Sequence, residues 1–139
     1  MRHVIVVEDD AHNAFLFRKI LEKRAGCRVT VTEDPAVVVQ EVRTGTVALV
    51  ILDVSLRNSR WQGEPVGGIE ICRVLRAESP GTPVLLATAH AMRGDAEELL
   101  AESGADDYVS KPIVDHEQFA ARAVALMDKA ARARGEDAA

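Results

Sequence analysis

The segment VALVILD at residues 47–53 consists of six apolar residues and ends in a carboxylate. Side chains alternate between the two faces of a strand, so an unbroken apolar run predicts a strand that is covered on both faces. Residues 4–7, with the sequence VIVV, form a second run of this kind. Together the two segments predict the centre of a parallel sheet that has helices on both sides.

Five short runs rich in Val, Ile and Leu recur along the chain, at residues 3–7, 29–31, 48–52, 84–88 and 108–109. Segments with helical spacing separate them, such as the one that contains Ala14, Phe15, Phe17, Arg18 and Leu21. Strands that alternate with helices form parallel units with right-handed crossovers. The predicted fold class is therefore α/β, a doubly wound five-stranded parallel sheet with five helices.

Capping residues predict where several helices begin and end. Three glycines follow helical stretches and suit left-handed C-terminal caps: Gly26, Gly45 and Gly104. Asp34 before Pro35 is typical of an N-cap followed by proline in the first helical position. Asp115 with Gln118 is typical of a capping box, so both pairs predict helix starts.

The composition indicates one globular domain, because 139 residues with 47% hydrophobic and 28% charged residues can bury a core. We assign the domain to residues 1–129 and interpret residues 130–139 as a helix end and a frayed tail. The net charge of −5 argues against direct binding of nucleic acid. Cys27 and Cys72 lack the neighbours of a zinc site or a disulfide framework. We expect a cytoplasmic protein without a signal peptide or membrane insertion.

Polar residues follow four of the five predicted strands. They are Glu8, Asp9 and Asp10 after the first strand, Asp53 after the third, Thr88 after the fourth and Lys111 after the fifth. Each has an ordinary explanation. Either Asp9 or Asp10 could cap the first helix, Asp53 could start a turn, Thr88 could be a strand residue and Lys111 an exposed charge. The carboxyl ends of parallel strands meet at one edge of the sheet, where ligands bind. Their joint placement therefore predicts a functional site.

Up to three carboxylates, from Glu8, Asp9 and Asp53, would repel one another at this edge unless a cation were bound. Oxygen ligands without His or Cys favour Mg²⁺ or Mn²⁺. An aspartate next to such an ion can act as a nucleophile towards phosphorus and form an aspartyl phosphate. Lys111 would neutralise phosphoryl oxygens, and the Thr88 hydroxyl would donate a hydrogen bond to one of them.

The chain resembles the receiver domain of two-component response regulators over residues 2–128. The matching pieces are VVEDD at residues 6–10, Leu52-Asp53, Thr88-Ala89 and YVSKP at residues 108–112, in the order that the family has. The resemblance implies a flavodoxin-like (βα)5 receiver fold, close to that of the stand-alone chemotaxis regulators. Residues 1–129 would then form the receiver domain.

The resemblance also implies roles for individual residues. Asp53 corresponds to the phosphoacceptor, Asp9 to the direct metal ligand and Glu8 to the acidic neighbour that holds the metal through water. Ser55 would offer its backbone carbonyl to the metal. Lys111 would contact the phosphoryl group, and its peptide bond to Pro112 is expected to be cis.

Further residues correspond to the parts of a switch. Thr88 and Tyr108 resemble the switch pair, in which the hydroxyl moves toward the phosphoryl group and the ring rotates inward. This movement would remodel the face formed by the fourth helix, the fifth strand and the fifth helix, through which the protein could also form a homodimer. Ser55 and His90 lie two positions after Asp53 and Thr88, where the family tunes the lifetime of the phosphoryl group.

The segment after Asp53 departs from the family, which usually has a proline soon after the phosphoacceptor. Here no proline occurs before Pro65, and the nearest match to the glycine that opens the third helix is Gly68. The loop between residues 57 and 68 is therefore several residues longer than usual. We hypothesise that Arg57, Arg60 or Trp61 contacts a partner or partly covers the phosphoryl site.

The implied function is a signalling switch, not an enzyme, that takes its phosphoryl group from a sensor histidine kinase or a histidine phosphotransfer protein and acts on a downstream protein. The protein would be a stand-alone regulator, a phosphorelay intermediate or a fragment of a longer chain. Three alternatives remain. The first is a phosphatase with an Asp nucleophile, which usually has a second Asp where this chain has Ser55. The second is a flavin carrier, which needs a phosphate-binding loop after the first strand, where this chain is acidic. The third is a receiver-like module that binds partners without being phosphorylated.

Overall fold

The computed structural model describes residues 1–89 and 95–135. Its strands are β1 (His3–Val7), β2 (Arg28–Thr32), β3 (Val47–Asp53), β4 (Arg60–Trp61), β5 (Glu64–Pro65), β6 (Val84–Thr88) and β7 (Asp107–Ser110). Its helices are α1 (Ala11–Ala25), α2 (Pro35–Arg43), α3 (Gly68–Glu78), α4 (Asp95–Ser103) and α5 (His116–Ala133). The predicted α/β class is confirmed.

The main sheet has five parallel strands in the order β2-β1-β3-β6-β7. The strand order reverses between β1 and β3, which is the position where open α/β sheets bind ligands. Val7 lies opposite Leu52 in the register of these two strands. The residues that follow, Glu8 and Asp53, are thereby brought to the same point of the sheet edge.

The two faces of the sheet are covered as the apolar runs predict. Val4, Val6, Leu49 and Ile51 face α1 and α5, whose Phe17 and Phe119 rings pack with centroids 5.4 Å apart. Ile5, Val7, Val50 and Leu52 face the opposite cluster, which includes residues of α2 and α3. Phe15 of α1 instead points outward and is 62% exposed.

The predicted caps lie where the sequence places them. Gly26 adopts a left-handed conformation and caps α1, and Gly45 and Gly104 also have positive φ. Asp34 accepts the Ala36 N–H at the start of α2, and Asp115 accepts the Gln118 N–H at the start of α5. Helix α5 ends at Ala133, within residues 130–139, where we expected the helix end.

The long segment after Asp53 is folded rather than irregular. Strands β4 and β5 pair antiparallel, with Arg60 opposite Pro65 and Trp61 opposite Glu64. Gln62 and Gly63 connect them and both have positive φ, as the two central residues of a type I′ hairpin turn require. We refer to residues 60–65 as the β4–β5 hairpin. No helix in the described part of the chain has the length and apolar character needed to cross a membrane.

Candidate functional site

Carboxylates from the ends of β1 and β3 meet at the sheet edge. Glu8, Asp9 and Asp53 each offer a carboxylate oxygen, and these oxygens lie within 4.8 Å of one another. Glu8 and Asp53 are buried, whereas Asp9 is half-buried. The pairing of β1 with β3 brings Glu8 and Asp53 together, because each directly follows one residue of the pair Val7 and Leu52.

Asp10, and not Asp9, is the N-cap of α1, a role that the sequence left open for either residue. Its carboxylate accepts the backbone N–H groups of His12 and Asn13, at 2.9 and 3.1 Å, and so caps α1. These hydrogen bonds lower the pKa of Asp10, with the Asn13 N–H contributing most. Asp9 is left to the acidic cluster.

Lys111 joins two of the carboxylates. Its ammonium lies 3.0 Å from Asp53 Oδ1 and 3.2 Å from Glu8 Oε1, and its side chain is only 11% exposed. The Lys111 N–H donates to the carbonyl of Thr88 at 2.8 Å, and the peptide bond to Pro112 is cis, as predicted. Burial works against the charged ammonium, but Asp53 and Glu8 outweigh it and raise the Lys111 pKa.

The two buried carboxyl groups differ in how they are stabilised. Burial and the neighbouring Asp53 carboxylate raise the pKa of Glu8 to about 7. Burial opposes ionisation of Asp53 as well, but hydrogen bonds with Glu8, the Ser55 N–H and Lys111 more than offset it and lower the Asp53 pKa. Asp53 is therefore the ionised member of the pair near neutral pH.

One buried oxygen of the site has no protein partner. Glu8 Oε2 accepts no hydrogen bond from any residue that the structure describes. A buried acceptor without a partner is unfavourable unless an ion, a proton or water satisfies it. The orphaned oxygen, the cluster of three carboxylates and the hard oxygen chemistry of the donors all fit a small divalent cation.

Of the other predicted site residues, Thr88 is the last residue of β6 and is buried, and Tyr108 lies on β7, half-buried against the cluster formed with α2 and α3. The Ser55 N–H donates to Asp53 Oδ1 at 3.1 Å. His90, proposed to tune lifetime, lies outside the described residues.

The extended segment reaches the site through Arg57. Its backbone N–H donates to Asp9 Oδ2 at 3.2 Å, a contact that the sequence did not predict. Arg60 turns instead to the Gly63 carbonyl, and Trp61 packs against the cluster formed with α2 and α3. Of the three residues proposed to cover the site, only Arg57 borders it.

Gly68, at the end of this segment, packs against the backbone of Asp53 at the end of β3. A Cβ at Gly68 would lie 2.2 Å from the Asp53 carbonyl oxygen, so no larger residue fits there without backbone movement. The Gly68 N–H donates to the Val54 carbonyl at 3.1 Å. The prediction that Gly68 opens the third helix is confirmed.

These groups surround a cavity of about 470 Å³, which we call the acidic cavity. Its walls are formed by Asp9, Asp10, Ala11, His12, Asn13, Asp53, Ser55, Arg57, Ala89 and Lys111. A wall with both carboxylates and cations can hold a metal ion next to an anionic group.

The sequence model of the response regulator receiver domain matches residues 4–123. The chain belongs to the response regulator receiver family. As a receiver domain of the two-component type, it has 36% identity over 119 residues to the DNA-binding response regulator MtrA of Mycobacterium tuberculosis. That match covers 86% of this chain and 48% of MtrA, so this receiver chain spans about half the length of the relative.

Solved receiver structures share the fold. The CheY-like receiver domain protein of Methanospirillum hungatei JF-1 superposes with a TM-score of 0.77 at 19% identity, over 96% of this chain and 98% of that one. The receiver domain of the sensor histidine kinase PA1611 from Pseudomonas aeruginosa PAO1 gives 0.74 at 22% identity, over 91% and 98%, and holds a magnesium ion in its active-site cleft. The predicted flavodoxin-like receiver fold is confirmed.

Proposed function

We propose that this receiver accepts a phosphoryl group on Asp53 and thereby switches a protein-interaction face. The observation that carries the proposal is the pairing of the Asp53 carboxylate with the Lys111 ammonium at 3.0 Å, inside the cluster with Glu8 and Asp9. Asp53 is ionised, which a nucleophile requires, and Lys111 lies where it can neutralise the incoming oxygens.

We propose that Asp9, Asp53 and the Ser55 carbonyl hold Mg²⁺ or Mn²⁺ directly, with Glu8 acting through water. Such an ion supplies positive charge to the phosphoryl oxygens. The orphaned Glu8 Oε2 and the carboxylate cluster support this arrangement. The magnesium in the PA1611 receiver also supports it, because that protein has the same fold.

In the transfer, a carboxylate oxygen of Asp53 forms a bond to phosphorus, and the bond between phosphorus and the donor atom breaks. The electron pair of the broken bond stays with the donor, which is the imidazole of a phosphohistidine or the carboxylate of an acyl phosphate. Lys111 pairs with one phosphoryl oxygen. The Thr88 hydroxyl donates to another as it turns toward the group.

We propose that the signal then passes from Thr88 to Tyr108 and changes the surface of α4, β7 and α5. The Arg122 guanidinium donates to the Tyr108 carbonyl at 2.8 Å, so strand and helix are already linked there. Membership of the response regulator family supports a histidine kinase or a phosphotransfer protein as the donor. We propose that the same face binds a downstream protein or a second copy of this chain. We also propose that Ser55 and His90 affect the lifetime of the phosphoryl group on Asp53.

The proposal is tested against a phosphatase by following phosphate release. The protein is incubated with Mg²⁺ and a series of phosphomonoesters, and free phosphate is measured over many turnovers. A switch releases phosphate from acetyl phosphate only as fast as the aspartyl phosphate is hydrolysed, which is slow. It releases no phosphate from the phosphomonoesters. Sustained release from phosphomonoesters would instead establish a phosphatase, and no reaction with any donor would favour a module that only binds partners.

A further inference from the structure

Arg57 contributes a cation to the wall of the acidic cavity that the proposed function does not use. It shares this cavity with Asp9, Asp53 and Lys111. Its guanidinium forms no hydrogen bond or ion pair with any residue in the ranges 1–89 and 95–135. Arg57 is exposed, and because it has no side-chain partner among the described residues, all of its guanidinium donors are available for a ligand.

The main chain holds Arg57 in place at the cavity. Its N–H is bound to Asp9 Oδ2, and two residues later the buried Ser59 hydroxyl donates to the Glu33 carbonyl at 2.6 Å. The Ser59 carbonyl in turn accepts the Val66 N–H at 3.0 Å, which closes the base of the β4–β5 hairpin. The hairpin therefore fixes the backbone from which the Arg57 side chain extends.

A phosphoryl group that enters the cavity adds negative charge next to the carboxylates, which favours a second cationic side chain in addition to Lys111 and the proposed metal ion. Glu8, Asp9 and Asp53 face one ammonium, that of Lys111. A phosphoryl group adds a charge of roughly −1.5 to −2 at neutral pH. Arg57 can bind two of its oxygens with the planar fork of the guanidinium, which matches the geometry of phosphate.

The other two candidates in this segment face elsewhere. Arg60 donates to the Gly63 carbonyl and borders a separate recess with Glu33 and Asp34. Trp61 packs on the apolar cluster formed with α2 and α3. Arg57 and Arg60 are thus two arginines of one short segment, one inside the acidic cavity and one outside it.

We propose that Arg57 binds the phosphoryl oxygens of the donor and of phosphorylated Asp53, as a second cationic side chain of the acidic cavity in addition to Lys111. The β4–β5 hairpin serves to present it. This inference rests on the proposed function of Asp53, and it assigns to the unusual segment a direct role in anion recognition.

The test compares Arg57→Gln, Arg57→Lys and Arg60→Gln with the unaltered chain. The apparent second-order rate constant for phosphorylation is measured with Mg²⁺ and limiting acetyl phosphate, from intact mass against time. We expect Arg57→Gln to lower it about fivefold, a modest loss because the guanidinium is exposed to solvent. Arg57→Lys should recover part of the rate, since it restores the charge without the fork. The matched control Arg60→Gln removes the same charge and should leave the rate unchanged.

Binding of inorganic phosphate in the presence of Mg²⁺, followed by ³¹P NMR line broadening, separates this inference from the proposed function. Binding that weakens in Arg57→Gln but not in Arg60→Gln supports the inference, even if Asp53 were never phosphorylated. Phosphorylation and phosphate binding that are unchanged in Arg57→Gln would overturn it and leave the proposed function standing. Equal losses in both variants would also overturn it, because they would indicate a general effect of charge.

Discussion

Gly68 and Asp53 meet through their backbones at the point where the extended segment returns to the sheet. A Cβ at position 68 would lie 2.2 Å from the Asp53 carbonyl oxygen and 2.9 Å from the Val54 Cα. Both contacts are to backbone, which cannot rotate away as a side chain can. The size of this residue is therefore tied directly to the position of the proposed phosphoacceptor.

We predict that Gly68→Ala lowers the free energy of unfolding by roughly 2–3 kcal/mol, because the methyl group overpacks a rigid contact. The measurement is equilibrium unfolding in urea. Gly81→Ala is the matched control, since a Cβ there meets nothing within 4 Å. Equal midpoints for the two variants would show that the strand and helix α3 separate easily.

His3 is buried beside Thr30, whose hydroxyl lies 2.8 Å from His3 Nε2. Burial and the nearby Arg28 lower its pKa, although Glu41 acts in the opposite direction. The unfolded chain then binds the proton more readily than the folded one. Stability from this group is complete above pH 6.5, the value for the unfolded chain, and is lost as the pH falls below it.

We therefore predict that the difference in urea midpoint between the wild type and His3→Gln grows as the pH rises from 5 to 7.5. The raised pKa of Glu8 produces a trend of opposite sign, but it is present in both proteins and cancels in the difference. A difference that stays constant over this range would contradict the lowered pKa of His3.

The sequence predicted the acidic residues and Lys111 of the site because each follows directly on a strand, and parallel strands end at a common edge. It could not predict the bond between the Arg57 N–H and Asp9, because the path of the intervening segment is not periodic. It left open whether Asp9 or Asp10 caps α1. The hydrogen bonds from His12 and Asn13 settle this in favour of Asp10.

At the scale of elements, β1, β3 and β6 were predictable because their apolar runs are covered on both faces. The edge strands β2 and β7 are only partly buried, and their short apolar runs were the signal. The β4–β5 hairpin was not, since strands of two residues carry no period. Its one signal is the pair Gln62–Gly63, and Gln is an uncommon residue at a position with positive φ. A loop of unusual length was expected, and the structure shows that it contains an antiparallel hairpin.

Ser59 anchors this hairpin to the segment before α2. We predict that Ser59→Ala lowers the free energy of unfolding by about 1 kcal/mol, because the hydrogen bond to the Glu33 carbonyl is lost from a buried site. Asn58→Ala, at the exposed neighbouring position, is the control and should be neutral. Urea unfolding measures both. A neutral Ser59→Ala would mean that the hairpin base is not fixed by this contact.

At the scale of the whole molecule, a cation bound by the acidic cluster would couple ion binding to folding. The folded chain holds oxygens of three carboxylates within 4.8 Å of one another, and the unfolded chain does not keep them together. A ligand that binds only the folded state stabilises it by mass action. We predict that Mg²⁺ at ten times its dissociation constant raises the free energy of unfolding by about 1.4 kcal/mol.

Two neighbouring aspartates provide the variants for this prediction. Asp9→Asn should remove most of the gain in melting temperature between EDTA and Mg²⁺, because it replaces a carboxylate of the cluster. Asp10→Asn should retain the gain, since Asn also caps a helix and position 10 lies outside the cluster. Equal gains in both variants would contradict the proposed ligand set.

The most direct test of the central claim is the mass of the intact protein after incubation with acetyl phosphate and Mg²⁺. If Asp53 is the phosphoacceptor, the wild type gains the mass of one phosphoryl group, Asp10→Asn gains it as well, and Asp53→Asn gains none. A phosphoryl mass that persists in Asp53→Asn, or its absence from the wild type with every donor tried, would contradict the account.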